Sequence, residues 1–352
     1  MHHLRKYVAA LAMSAAVTVT AVGCSSASTT EESSTGAAAP TGANSEAPGG
    51  QYDDVIDVNF GFIPDYNGTS LLAIAEEEGI WDDYGLNVST QTFTNGPLQI
   101  QALGTGDLDF GYIGPGAFWL PASGQSKIVA INTLGQADRV VGQPGNDTME
   151  DLRGKTVAFP EGTSGDMILT LALQDAGMTK DDIEALPMEP SAIVAALSSG
   201  QVDGAGFWYP ALETVKEQVP DLVEIADNSD FEDTVAFPTA FVASNDLVEN
   251  ESDKLDRVLK ALRDAMEFRA ANVDESIAMT ASFNALEEEA VAGDAANVKI
   301  LSLDEIDTLT EDGTVDSWLS GMVDYFVGAG KLDATVEPGS FYTGDLFLKA
   351  GE

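Results

Sequence analysis

The sequence predicts an α/β fold arranged as two similar lobes, on three observations. Short β-branched runs alternate with helical segments from Asp54 onward, the succession expected of parallel strands joined by crossover helices. The stretch Ala102-Leu103-Gly104-Thr105-Gly106-Asp107-Leu108-Asp109 returns as Ala196-Leu197-Ser198-Ser199-Gly200-Gln201-Val202-Asp203. Each copy reads as a helix ending at Gly, a tight turn, and a new strand. The chain of 352 residues, 44% hydrophobic, is long enough for roughly two domains with a true core.

In chain order, the first 23 residues read as a leader. His2, His3, Arg5 and Lys6 form a basic start, and residues 7–22 an apolar stretch too short for a spanning helix. It ends in Ala21-Val22-Gly23-Cys24, which resembles the bacterial lipobox and implies lipidation of Cys24 after cleavage. An ordinary free cysteine beside a secretory leader is the plainer alternative, although Cys24 is the only cysteine and has no disulfide partner. Residues 24–52 are rich in Ser, Thr, Ala, Gly and Pro. Such a tether behaves as a coil reaching about 25–30 Å.

The body begins at residue 53. Strands are expected over 55–63, 86–93, 108–113 and 127–132, with helices over 69–78 and 98–103 between them. A second series follows, with strands over 155–159 and 202–207 and helices over 164–176, 191–198 and 211–217. From Asp253 the chain is mostly helical, and Leu255, Val258, Leu259, Leu262 and Met266 lie at the spacing of one buried helix face. Trp119 and Trp318 fall within helical patterns and read as core. Glu76–Glu78 and Glu287–Glu289 read as solvated faces, and Asn67-Gly68-Thr69 as a turn.

Charge excludes several functions. With 16 Lys+Arg against 58 Asp+Glu the net charge is −42, which repels nucleic acid. Both histidines lie in the leader, so the mature chain lacks Ser/His/Asp and Cys/His catalysis and any His-ligated metal. Asp227-Asn228-Ser229-Asp230 lacks the spacing of an EF-hand loop. No cofactor is expected. The dispersed acidity suits high salt, so a halophilic surface is a further expectation.

Gly61-Phe62-Ile63-Pro64, Leu71-Leu72-Ala73-Ile74-Ala75, Gly79-Ile80-Trp81 and Tyr84-Gly85-Leu86 resemble the opening of the substrate-binding proteins of nitrate, sulfonate and taurine ABC importers. Asp151-Leu152-Arg153-Gly154-Lys155-Thr156-Val157-Ala158 and Gly162-Thr163-Ser164 resemble the same family, and Trp208–Leu212 its taurine-type members. The resemblance covers residues 54–285. It implies a type II periplasmic-binding-protein fold, two α/β lobes joined by a two-stranded hinge. The crossings are placed at 138–142 and 238–244, giving one lobe from 53–137 and 244–352 and the other from 138–243.

Ligands of open α/β sheets sit beyond the carboxyl ends of strands. The candidate binding residues are therefore Asp65, Tyr66, Asn67, Asn95, Gly114, Pro115, Asp138, Thr163, Ser164, Gly165, Trp208, Tyr209 and Phe237. The turn at Gly162–Gly165 ends a strand and opens a helix, so its N–H groups and hydroxyls could hold an anion without a cation. The same residues read equally as a plain N-cap. Asp138 aligns with an acidic position of taurine-type members and could pair with an ammonium, or with its neighbour or Arg153 as a surface ion pair. Trp208 and Tyr209 could stack on a ring or an alkylammonium, or simply wall the cleft.

The expected function is that of a monomeric, lipid-anchored receptor on the outer face of the cell membrane. It would pass a small organic ligand, taurine or an aliphatic sulfonate, to ABC permease and ATPase subunits, without catalysis. Hydroxymethylpyrimidine, an aromatic acid, nitrate or an alkylammonium are alternative ligands, and a non-transport sensor lipoprotein is an alternative role. Pyrimidine-synthesising enzymes share the fold, but they require a histidine that the mature chain lacks.

Overall fold

A computed structural model describes residues 52–352. The leader, Cys24 and most of the expected tether lie outside the described residues. Strand β1 (Ile56–Phe62) leads into α1 (Tyr66–Glu77) and the short α2 (Ile80–Asp83), then β2 (Leu86–Thr92), α3 (Gly96–Thr105), β3 (Phe110–Ile113), α4 (Trp119–Ala122) and β4 (Lys127–Gly135). The chain then enters a second lobe through β5 (Asp138–Gly142), β6 (Thr156–Phe159), α5 (Ser164–Asp175), β7 (Glu184–Pro187), α6 (Pro190–Ser198), β8 (Gly204–Trp208), α7 (Ala211–Gln218) and β9 (Val223–Asp227). It returns through β10 (Pro238–Ala243), α8 (Asn245–Asn250), α9 (Ser252–Ala271), α10 (Val273–Asn284), α11 (Glu288–Ala295), β11 (Val298–Ile300), α12 (Leu303–Glu311), α13 (Thr314–Gly328) and α14 (Gly344–Lys349).

The six-stranded sheet has the order β11-β4-β10-β3-β1-β2, and the five-stranded sheet β7-β6-β8-β5-β9. Neither is wholly parallel, which corrects the expectation from alternation. β1 runs parallel to β2 and β3, but β10 is antiparallel to β3 and β4. β6 is parallel to β7 and β8, whereas β5 is antiparallel to β8 and β9. The physical reason is topological. β5 and β10 arrive from the opposite lobe rather than over a crossover helix, so the right-handed βαβ rule does not govern their direction.

The return crossing lies earlier than expected. Residues 138–142 and 238–243 are β5 and β10 themselves, each paired within a sheet. The chain passes between the lobes just before them, where the Gly135 N–H donates to the Phe237 carbonyl at 2.8 Å. Because β10 belongs to the first sheet, the return to the first lobe precedes Pro238 rather than following Ala243.

Core formation follows the sequence pattern. Val58, Phe60 and Phe62 of β1 are buried with Leu71, Leu72 and Ile74 of α1, each large apolar side chain contributing roughly 1.5–3 kcal/mol. The α9 stripe of Leu255, Val258, Leu259, Leu262 and Met266 is buried in the same cluster. In both near-repeats the helix, α3 or α6, ends at a glycine in the left-handed region, Gly106 at φ 78° and Gly200 at φ 69°, the conformation that lets the chain reverse into β3 or β8. Trp119 and Trp318 are only half-buried, so neither is a full core residue. Asn67-Gly68-Thr69 is the buried first turn of α1 rather than a surface turn.

Candidate functional site

Four loops of the first lobe and three of the second converge on a cavity of about 50 Å³. Asp65 and Asn67 stand at the start of α1, Asn95 and Gly96 at the start of α3, Tyr112 at the end of β3, and Gly114, Pro115 and Ala117 in the loop after it. Asp138 opens β5, Thr163 and Ser164 open α5, and Trp208 and Tyr209 end β8. Ile63, Gly135, Ala137 and Thr239 complete the lining. The two loops after the near-repeats, at Gly114 and at Trp208, thus open on one space.

The helix starts are locally built. The Asp65 carboxylate accepts the Gly68 N–H at 2.6 Å, and the Asn95 side-chain oxygen accepts the Leu98 N–H at 3.1 Å. Both are N-caps that leave the rest of the side chain at the cavity. At α5 the arrangement differs from the anion cradle expected from sequence. The Thr163 hydroxyl donates to the Pro160 carbonyl at 2.6 Å, and the Gly162 N–H donates to Asp166 at 2.9 Å. The Ser164 hydroxyl neighbours the Asp138 carboxyl. A carboxyl therefore occupies the wall where a sulfonate was expected.

Asp138 is 4% exposed and forms a reciprocal pair with buried Asn228. Its N–H donates to Asn228 Oδ1 at 2.8 Å, and Asn228 Nδ2 donates back to Oδ2 at 3.0 Å. It is no surface ion pair, and Arg153 pairs instead with Asp182. Burial pushes the Asp138 carboxyl up, against the Ser164 hydroxyl, the Asn228 amide and the Arg139 charge, all of which favour ionisation. Burial also raises Asp65 well above the usual carboxylate range, aided by the charges of Asp294 and Asp138. Behind it, Asp294 is lifted by burial to about 6, although the Tyr66 N–H donates to it at 2.6 Å. The Tyr112 phenol is raised by burial and by Asp65.

Among the described residues no Lys or Arg lines this cavity. Arg139 turns away to Glu224 at 2.9 Å and Asn297 at 2.9 Å. Arg269, fully buried, donates to Ser70 and to the Asn132 carbonyl. Tyr209 donates to Glu224 at 2.5 Å, and its ring is approached by the Arg139 guanidinium and the Lys216 ammonium. Trp208 is half-buried beside Phe207, their ring centroids 4.8 Å apart. Among the described residues no group of three or more Asp, Glu, His or Cys is arranged to hold a metal ion.

Of the residues singled out from sequence, Asp65, Asn67, Asn95, Gly114, Pro115, Asp138, Thr163, Ser164, Trp208 and Tyr209 lie on the cavity. Tyr66, Gly165 and Phe237 do not. Tyr66 points into the helical core, its hydroxyl 2.6 Å from Ser276. Gly165 is packed on β8, where a Cβ would lie 2.7 Å from the Gly206 carbonyl oxygen. Phe237 is 3% exposed within the apolar core. Sequence reasoning missed Ile63, Tyr112, Ala117, Gly135, Ala137 and Thr239; Tyr112 carried one usable signal, its place at the carboxyl end of a strand.

A family profile described as NMT1/THI5 like matches residues 68–276, more than half of the chain. A protein of Brucella abortus, described as a binding protein, is 50% identical over 294 residues, 84% of this chain and 92% of its own. The taurine-binding periplasmic protein of Escherichia coli is 25% identical over 276 residues, 75% of this chain and 85% of its own. The alkanesulfonate-binding protein SsuA of Xanthomonas axonopodis, bound to MOPS, superposes with a TM-score of 0.66 at 20% identity, over 83% of this chain and 99% of that one. The type II periplasmic-binding architecture is thus the fold of this chain.

Proposed function

The chain belongs to the NMT1/THI5-like family, and from that membership we propose that it is the extracytoplasmic receptor of an ABC importer for a small organic ligand bearing a protonated amine. One observation carries the ligand class: among the described residues Asp65 and Asp138 line the cavity and no Lys or Arg does. At an effective dielectric near 20, a carboxylate about 4 Å from an ammonium gains about 4 kcal/mol, and beside a sulfonate it costs as much. Taurine fits as a zwitterion. Its ammonium would face Asp65 and Asp138, and its sulfonate the N-terminal peptide groups of α3 around Asn95 and Gly96. Nitrate and amine-free sulfonates fit poorly. A second reading, an alkylammonium or an aminopyrimidine, is favoured by Trp208 and Tyr112 on the same walls.

The receptor would work as a monomer with permease and ATPase subunits and perform no catalysis. Cys24 would carry its lipid anchor. Among the described residues no helix is long and apolar enough to cross a membrane.

Calorimetric titration with taurine, ethanesulfonate, ethylammonium, an aminopyrimidine and nitrate tests the reading. At least one amine-bearing compound is expected to bind, and ethanesulfonate and nitrate are expected to bind at least tenfold more weakly. Equal affinity for taurine and ethanesulfonate would overturn it. Asp138→Asn is expected to weaken the amine-bearing ligand by tenfold or more while leaving the folded protein intact; an unchanged affinity would remove Asp138 from the site.

A further inference from the structure

We propose that Gly116 and Lys331 are positioning residues that hold the two lobes closed, acting on the turn at residues 161–167 rather than on the ligand. The proposal rests on the reading of the cavity as the ligand site, because that turn carries Thr163 and Ser164 of its lining.

Gly116 belongs to the loop after β3 in the first lobe. A Cβ built on it would lie 2.1 Å from both the carbonyl carbon and the oxygen of Thr163, and 2.3 Å from the Ser164 nitrogen. All three nearest atoms are backbone of the second lobe. Gly116 is not among the glycines with positive φ, so its backbone conformation does not itself require glycine. The closest obstacle to a side chain at this position is the contact between the lobes. The same Thr163–Ser164 peptide therefore meets Gly116 on one side and the cavity on the other.

Lys331 follows α13, which packs with α12 and α4 in the first lobe. Its ammonium reaches Asp166 at 3.3 Å and Glu161 at 3.4 Å across the seam. Asp166 is only 5% exposed at its side chain and organises the turn, accepting the Gly162 N–H and pairing with Lys180 of its own lobe. Tyr325 of α13 adds a hydroxyl contact to the Met167 carbonyl at 3.4 Å, and Trp119 an N–H contact to the Gly162 carbonyl at 3.4 Å. Lys180 keeps Asp166 paired when the lobes part, so loss of Lys331 removes a bond between lobes without orphaning a buried charge within one.

Gly116→Val, Lys331→Ala and Lys331→Arg test this. Lobe separation is measured by solution X-ray scattering and by a pair of distance labels, one per lobe, with and without taurine; thermal unfolding reports folding. Gly116→Val is expected to unfold within a few degrees of wild type, yet to lack the closed separation that wild type reaches. Lys331→Ala is expected to shift the population toward open lobes and to raise the taurine dissociation rate about tenfold with little change in association rate; Lys331→Arg should restore closure. Equal lobe separations for wild type, Gly116→Val and Lys331→Ala, with taurine and without, would overturn the proposal. If taurine binds to none of them while wild type alone reaches the closed separation, the closure proposal stands and the ligand assignment fails.

Discussion

Asp294 shows what burial does to a single carboxyl. Its pKa is lifted by burial from 3.8 to about 6 in the folded state. A raised acid binds its proton more tightly when folded, so its contribution to stability is largest at low pH and is lost as pH rises between about 4 and 6. Asp294→Asn removes that loss and is expected to stabilise the protein by about 3 kcal/mol at pH 7.5, with little effect at pH 4. Urea unfolding of both proteins at the two pH values checks this, and an equal difference at both would contradict it. Asp294 was not legible as such a group in the sequence. It is one acid among 58, and only the fold brings it to the backbone of Tyr66, far away in the chain. Asp138 was legible as a residue of interest, but its burial and its pairing with Asn228 were not. Tyr66 shows the converse, because a residue beside a strand end points into whichever space packing leaves it.

At the scale of elements, β1 and α1 were readable because their periods of two and 3.6 are local properties. Phe60 of β1 is fully buried against Phe110 and Phe241, with ring centroids at 5.5 and 5.6 Å. Phe60→Ala is expected to cost about 3–5 kcal/mol, read as a lowered urea midpoint with an unchanged slope; a cost below about 1 kcal/mol would mean that the site collapses around the cavity. The capping box of α12 was equally local. Ser302 accepts the Glu305 N–H at 3.3 Å and Glu305 accepts the Ser302 N–H at 2.8 Å. Strand direction was not local, and β5 and β10 departed from the parallel expectation for that reason.

For the whole molecule the decisive quantity is charge. Arg139, Arg153, Lys180, Lys216, Arg257, Arg263 and Lys331 all pair with carboxylates, so these cations are spent on structure, against 58 acids in the chain. Raising salt from 0.1 to 1 M shortens the screening length from about 10 to about 3 Å, and the unfolding midpoint is expected to rise with it. A midpoint that is flat or falls with chloride salts would show that self-repulsion is not limiting. The sequence by itself determined the succession of helices and strands, the near-repeat that makes two lobes, and the scarcity of cations around any ligand, because period, turn chemistry and composition act within a few residues or over the whole chain. Only the tertiary structure decided which strand ends share one cavity, how β5 and β10 run, and that Asp138 stands beside Ser164. Those outcomes depend on packing between segments such as residues 65, 138 and 163, whose contacts no local pattern encodes.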